Sequence, residues 1–421
     1  MNAIMDTSLA YAQKLDKEDP LKGYREQFYI PKQENGEPHL YLCGNSLGLQ
    51  PKTTQDYIQQ ELNDWKHYGV EGHEKAKNPW LPYHEFLTDK MAKVVGAKPI
   101  EVVVMNTLSV NLHLLMASFY RPTKERYKIL IESDAFPSDR YAVESQINFH
   151  GYKNGLVELR PREGEDLLRT EDIEATIEKQ GDEIALILIG CPNYYTGQVF
   201  NIKRLAALGH AKGCMVGIDL AHGAGNLKLA LHDSNIDFAA WCTYKYLNSG
   251  PGSVGGCFVH ERHAEAFNIP RFAGWWGHDK ETRFGMRDDF NPIPGAEGWQ
   301  LSNPPILSLA AIKASLDIFD EVGMDALVKK SKQLTGYLEK LVHQLAGNSI
   351  EIITPKNPDE RGCQLSLRIL HKDGKTVFKS ITDKGVIADW REPDVIRIAP
   401  APLYNSYEDV FNFVKVLKGE L

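Results

Sequence analysis

The stretch IALILIGCPNYYTGQVFNIKRLAALGHAKGCMVGID, residues 184–219, decides the fold. It opens on six consecutive apolar residues closed by Gly190, the length and composition of a strand buried on both faces. Residues 202–212 then carry apolar side chains at helical spacing, and 214–219 return to a short apolar run ending in Asp219. Strand, helix and strand in that order form a βαβ unit, which requires a parallel sheet. The alternation extends in both directions: residues 101–105, 128–132, 155–159, 238–243 and 253–260 read as further buried strands, with helices predicted over 109–119, 138–149 and 171–179. The expected fold class is α/β, with a seven-stranded, mostly parallel sheet.

Beyond Pro305 the pattern changes to helices over 306–319 and 325–345 and strands over 350–353, 364–369, 386–389 and 395–398, a smaller α+β unit. A helix over 53–67 precedes the sheet and is assigned to that unit. The expected division is a large α/β domain over 70–305 and a small domain made of 1–69 together with 306–421.

The 421 residues suit two or three domains at roughly 150 residues each. A formal net charge of −8 gives no basic surplus for a phosphate backbone, so nucleic acid is excluded as a partner. No apolar run approaches the roughly 18 residues of a membrane span, and residues 1–20 lack the apolar core of a secretory leader, so a cytoplasmic protein is expected. Six cysteines without a CxxC pair fit neither a disulfide framework nor a zinc knuckle.

Three motifs carry less than their patterns suggest. Gly44-Asn45-Ser46-Leu47-Gly48 matches the GxSxG nucleophile elbow, but too few residues precede it to build a hydrolase sheet, so it reads as a glycine-permitted turn. Gly250 to Gly255 matches GxGxxG but leads into an apolar strand instead of a helix. His260 and His263 lack HExxH spacing and a third ligand, so they read as surface histidines and no metal is expected.

The informative constellation is Asp219 at a strand end, followed by His222, with Lys245 just after the next strand between Tyr244 and Tyr246. Alone, Asp219 is either a helix N-cap or a carboxylate aimed at a ligand, and Lys245 is a snorkelling surface residue or a buried amine. Together they meet the main demands of pyridoxal 5'-phosphate: an amine to hold the aldehyde as a Schiff base, and a carboxylate to keep the pyridine nitrogen protonated. Asn106-Thr107-Leu108-Ser109 adds a strand-to-helix turn suited to a phosphate.

Residues 41–48, Phe136-Pro137-Ser138-Asp139, 193–198, Asp219 to His222, 244–248, Gly274-Trp275-Trp276-Gly277-His278, Ser302-Asn303-Pro304-Pro305 and 397–404 closely resemble the corresponding stretches of kynureninases. The resemblance implies the fold type I, aspartate-aminotransferase-like architecture and a homodimer with shared active sites. It implies Lys245 as the Schiff-base lysine, Asp219 as the pyridinium partner, and Phe136 on the cofactor ring with Asp139 nearby. Leu108, Ser109, His222, Tyr244, Trp275 and Asn303 match positions contacting the cofactor, with Trp275 and Asn303 expected from the partner subunit. Arg397 would bind the substrate α-carboxylate, Ser46 and His73 would lie near its aromatic ring, and Tyr244 would act as acid–base partner of Lys245. The implied reaction is hydrolytic cleavage of kynurenine or 3-hydroxykynurenine to alanine and an aryl acid, in tryptophan breakdown or NAD biosynthesis. A cysteine desulfurase, a class V aminotransferase or a non-catalytic protein of the same fold are the alternatives.

Overall fold

The computed structural model describes residues 6–421. After a short N-terminal strand β1 (Leu40–Tyr41), the alternation builds one seven-stranded sheet. Its strands are β2 (Val102–Val104), β3 (Lys128–Glu132), β4 (Leu156–Leu159), β5 (Ile184–Gly190), β6 (Met215–Asp219), β7 (Phe238–Trp241) and β8 (Gly256–Val259). They lie in the order β2-β8-β7-β6-β5-β3-β4; β3 to β7 pair in parallel, and β8 runs antiparallel to both neighbours. The apolar run of β5 is buried on both faces, as its composition requires. Ile187 and Ile189 join one core with Leu205 and Val216, whereas Leu186 and Leu188 join another with Leu115 and Phe119.

Chain order reverses between β3 and β5, since β4 lies outside β3 while β6 and β7 lie on the far side of β5. Open α/β sheets bind ligands beyond the carboxyl ends of strands at such a switch. Glu132 ends β3, and Gly190 at the end of β5 stands in register with Asp219 at the end of β6.

After β8, the antiparallel strands β9 (Ile350–Ile352), β10 (Leu365–Ile369), β12 (Asp389–Arg391) and β13 (Val395–Ile398) form a second sheet, in the order β12-β13-β10-β9. The single strand expected over 386–389 is two, because β11 (Val386–Ile387) turns away to pair in parallel with β1. Helices Met324–Leu345, Gly374–Asp383 and Tyr407–Glu420 cover this sheet, and the last two are absent from the sequence-based reading. Ser406 and Asp409 form a capping box that opens Tyr407–Glu420. The N–H groups of Tyr407 and Glu408 also donate to Asp16, tying helix Leu9–Glu18 to the chain's last helix. Helix Thr54–Tyr68 packs on Ile306–Val322, where Tyr57 donates to Asp317.

Of the two histidines read as surface residues, one is buried and the other half-buried. His260 is 7% exposed, stacked on His232 beside the buried Glu101, and His263 Nε2 lies 2.9 Å from the buried Asp237 against the Phe119 ring. These acids arrive from distant segments, so spacing along the chain gives no sign of the burial. Among the described residues, no helix is long and apolar enough to cross a membrane. All six cysteines are free and buried.

Candidate active site

A cavity of about 400 Å³ opens at the switch point, lined by Asn45, Ser46, Thr107, Leu108, Ser109, Glu132, Phe136, Ser138, Asp139, Gly190, Pro192, Tyr194, Asp219, Ala221, His222, Tyr244, Lys245, Arg391 and Arg397. Lys245 follows β7 in a turn, and its Nζ lies 3.1 Å from Nε2 of His222. Burial and the Lys245 and Arg397 charges hold His222 well below its usual pKa, so its ring is neutral and accepts from the amine. The rings of Phe136 and Tyr244 lie 6.0 and 5.9 Å from Nζ. Burial also raises the Tyr244 phenol, leaving it a proton donor across the physiological range.

Asp219 accepts from the N–H of Ala221 at 2.5 Å, which fixes its carboxylate at the mouth of β6. Burial and the adjacent Asp219 push Asp139 well above the usual carboxylate range, and Asp139 Oδ1 is buried without a partner. Two neighbouring carboxyls in the cavity lining, the Asp139 one held above its usual range, fit a ligand that brings its own N–H cation. A pyridinium is such a group. Glu132 lies beside them, accepting from the Gly190 N–H and pushed up to about 8 by desolvation first and Asp219 second.

An anion cradle faces this floor. The helices Leu108–Phe119 and Pro137–Phe149 both begin at the cavity with no side chain capping their first N–H groups, and Ser109 Oγ lies 2.9 Å from Ser138 Oγ. Two uncapped N-termini and two hydroxyls suit a phosphate. The residues present therefore fit pyridoxal phosphate: Lys245 for the aldehyde, Asp219 with Asp139 for the ring nitrogen, and the Thr107–Ser109 turn with Ser138 for the phosphate.

Opposite stands Arg397, 1% exposed, on the interior strand β13. Its Nη1 donates to the Tyr194 carbonyl at 2.8 Å and its Nη2 to Asp389 Oδ2 at 2.6 Å. The Tyr194 ring meets Phe136 edge-on at 5.3 Å. Ser46 reaches the cavity because the Gly44–Gly48 turn docks under the lysine: Gly48 N–H donates to the Tyr244 carbonyl at 2.8 Å, and a Cβ there would stand 2.2 Å from the Lys245 carbonyl. The turn is a docking device for the lysine loop, not a nucleophile elbow.

A family model, Kynureninase C-terminal domain, matches residues 327–417. The kynureninase of Myxococcus xanthus is 59% identical over 99% of this chain and 98% of its own, and that of Flavobacterium psychrophilum is 55% identical over the same shares. The chain belongs to the kynureninase family. Solved structures add the fold alone: the cysteine desulfurase of Thermococcus onnurineus superposes with a TM-score of 0.75 at 18% identity, over 90% of this chain and 94% of its own. A cysteine desulfurase from Escherichia coli superposes with the same TM-score at 16% identity, over 95% and 98%. The thiol that a desulfurase would need is not available, because Cys363 is fully buried and pushed up to about 12.

Not every residue matched to kynureninases meets at Lys245. His73, Trp275 and Asn303 line a separate concavity of about 450 Å³ with Val70, Trp276 and Phe284. Conversely, Asn45, Glu132, Tyr194 and Arg391 line the first cavity without having been singled out from sequence. Glu132 carried the same signal as Asp219, an acid closing an apolar strand. Arg391 shares strand parity with Asp389 in a hairpin whose register only the structure gives.

Proposed function

We propose that the protein is a kynureninase that uses pyridoxal 5'-phosphate to cleave L-kynurenine or 3-hydroxy-L-kynurenine hydrolytically between Cβ and Cγ. The products are L-alanine and anthranilate or 3-hydroxyanthranilate. The observation that carries this reading is one cavity gathering a lysine amine, a paired carboxylate, an anion cradle and a buried guanidinium. The bound cofactor supplies an electron sink for the negative charge that develops at Cα and Cβ.

The chain's own residues do the rest. Arg397 grips the α-carboxylate, for which its planar fork is suited. Lys245, which would hold the cofactor aldehyde, moves the proton at Cα, with neutral His222 as its acceptor neighbour. Asp219 holds the ring nitrogen's proton, and Asp139, kept protonated beside it, prevents a second charge from building there. Tyr244 donates to the γ-carbonyl as water adds, takes a proton back from the resulting hydrate as the Cβ–Cγ bond breaks, and passes that proton to Cβ. Phe136 offers an apolar face to the cofactor ring, and Ser46 contacts the aromatic end of the substrate.

We further propose a homodimer in which Trp275, Asn303 and His73 complete the partner's cavity. Their remoteness from Lys245 within one chain supports this, as do the exposed Val70, Trp275 and Phe284 around them. The same reading takes 70–305 as the cofactor domain and both chain ends as the small domain, supported by the β1–β11 pairing. The enzyme is assigned to the cytoplasm, in tryptophan breakdown or NAD synthesis according to which substrate it prefers.

The test is incubation of the cofactor-supplemented protein with each substrate while alanine and aryl acid are quantified together. Equal amounts of both products are expected. A yellow protein that releases neither product rejects the reading.

A further inference from the structure

The hairpin of β12 and β13 places Asp389 directly opposite Arg397 in the antiparallel register, and Arg391 on the same face two residues along. On one face of an antiparallel pair, opposite residues are close neighbours. A single oxygen, Asp389 Oδ2, accepts from both guanidiniums, from Arg397 Nη2 at 2.6 Å and Arg391 Nη2 at 3.1 Å. Asp389 is itself buried, and among the described residues no other carboxylate pairs with Arg397. The second fixed contact of Arg397 is the Tyr194 carbonyl. The guanidinium is thus held at two nitrogens, and Arg397 still lines the cavity.

A buried guanidinium keeps its charge at a desolvation cost that a paired carboxylate offsets, and that carboxylate also fixes its aim. One carboxylate shared by two arginines leaves the cluster with a net charge of about +1, the complement of a single carboxylate. We infer that Asp389 is a positioning residue that aims Arg397, and through it selects ligands carrying an α-carboxylate. The inference rests on the proposed function only in taking the ligand to be an α-amino acid. Asp389 touches no reacting atom and acts through the arginine. Its role is therefore carboxylate selection, with proton transfer left to Lys245 on the opposite wall.

The test is a binding preference that does not require the cleavage reaction. The holoprotein is titrated with L-alanine and, separately, with ethylamine, its counterpart without the carboxylate, and the cofactor's visible absorbance reports each. The wild type is expected to prefer alanine. In Asp389→Asn the preference falls about tenfold, through weaker alanine binding with ethylamine unchanged, because the fork loses its charged anchor. Asp389→Glu keeps the charge but moves the oxygen by one methylene, and its preference falls about threefold. This second variant decides the matter if the first does not fold. A preference that stays at the wild-type value in every variant that folds overturns the inference, as does an equal loss for both ligands, which would mark a merely structural role. Kynurenine turnover by the wild type is scored separately: its absence counts against the proposed function and leaves the alanine and ethylamine result to decide the role of Asp389.

Discussion

The amine of Lys245 and Nε2 of His222 stand 3.1 Å apart in a pocket where the histidine is wholly enclosed. Its depressed pKa has a sign in the stability of the protein. The folded chain keeps His222 neutral, while the unfolded chain binds a proton below about 6.5, so stability is lost as pH falls through that value. Without cofactor, the wild type is expected to lose on the order of 1 kcal/mol more than His222→Asn between pH 7.5 and pH 5.5. Urea unfolding of both proteins across that interval measures it, and parallel curves would reject the assignment.

Glu132 predicts the opposite trend. Its carboxyl titrates near 8 when folded and in the ordinary range when unfolded, so its contribution is full in acid and is lost as pH rises from about 4.5 toward about 8. Glu132→Gln keeps an acceptor for the Gly190 N–H and removes the titration. The variant should gain on the order of 4 kcal/mol relative to wild type at pH 7.5 and little at pH 4.5. Chemical unfolding at the two values is the measurement.

Arg397→Lys replaces a buried fork by a point charge. A fall of about 10- to 100-fold in kcat/KM is expected, most of it in KM, because the lost contact is to the substrate's unreacting end. Steady-state kinetics with kynurenine decides it, and a fall confined to kcat would contradict the role.

Gly48→Ala tests the docking of the N-terminal turn. The added methyl would meet the Lys245 carbonyl at 2.2 Å and Asn248 Oδ1 at 2.3 Å, so backbone must shift. A destabilisation of about 1–3 kcal/mol and weakened cofactor retention are expected. Thermal unfolding with and without cofactor reads both, and a wild-type profile would mean that the turn is not seated on the lysine loop.

The shared-site proposal predicts complementation. Lys245→Ala and Trp275→Ala are each expected to be nearly inactive alone. Mixed through a mild unfolding and refolding step, they should recover activity in hybrid dimers carrying one intact site, whereas no recovery would place Trp275 in its own chain's chemistry.

What the sequence disclosed and what it withheld follow one physical division. Asp219 and Lys245 were legible because each closes or follows an apolar strand, and a parallel sheet gathers strand ends at one edge. The boundaries of β3, β5 and β13 were legible as short apolar segments, continuous in β5, flanked by Lys128 and Glu132 in β3 and broken by Arg397 in β13. Asp389 and Arg391 were not, because their meaning lies in cross-strand register, which a chain reading does not contain. His260 was misread because Glu101 and His232 come to it from elsewhere in the chain. His73, Trp275 and Asn303 matched the family by motif, but nothing in their spacing announced that they would gather apart from the lysine.

The pairing of β1 with β11 also dictates a timetable. Ser46 leaves the ribosome early, but the turn that carries it is anchored through β1 to a strand some 340 residues later, at Val386–Ile387, and Arg397 emerges later still. The large sheet can form while the chain is being made, yet the wall of the cavity that carries Arg397 is closed only when residues 40–41 and 386–387 have paired. Any nascent or truncated chain that stops short of β13 would carry Lys245, Asp219, Asp139, Ser109 and Ser138 without the Arg397 guanidinium that lines the same cavity.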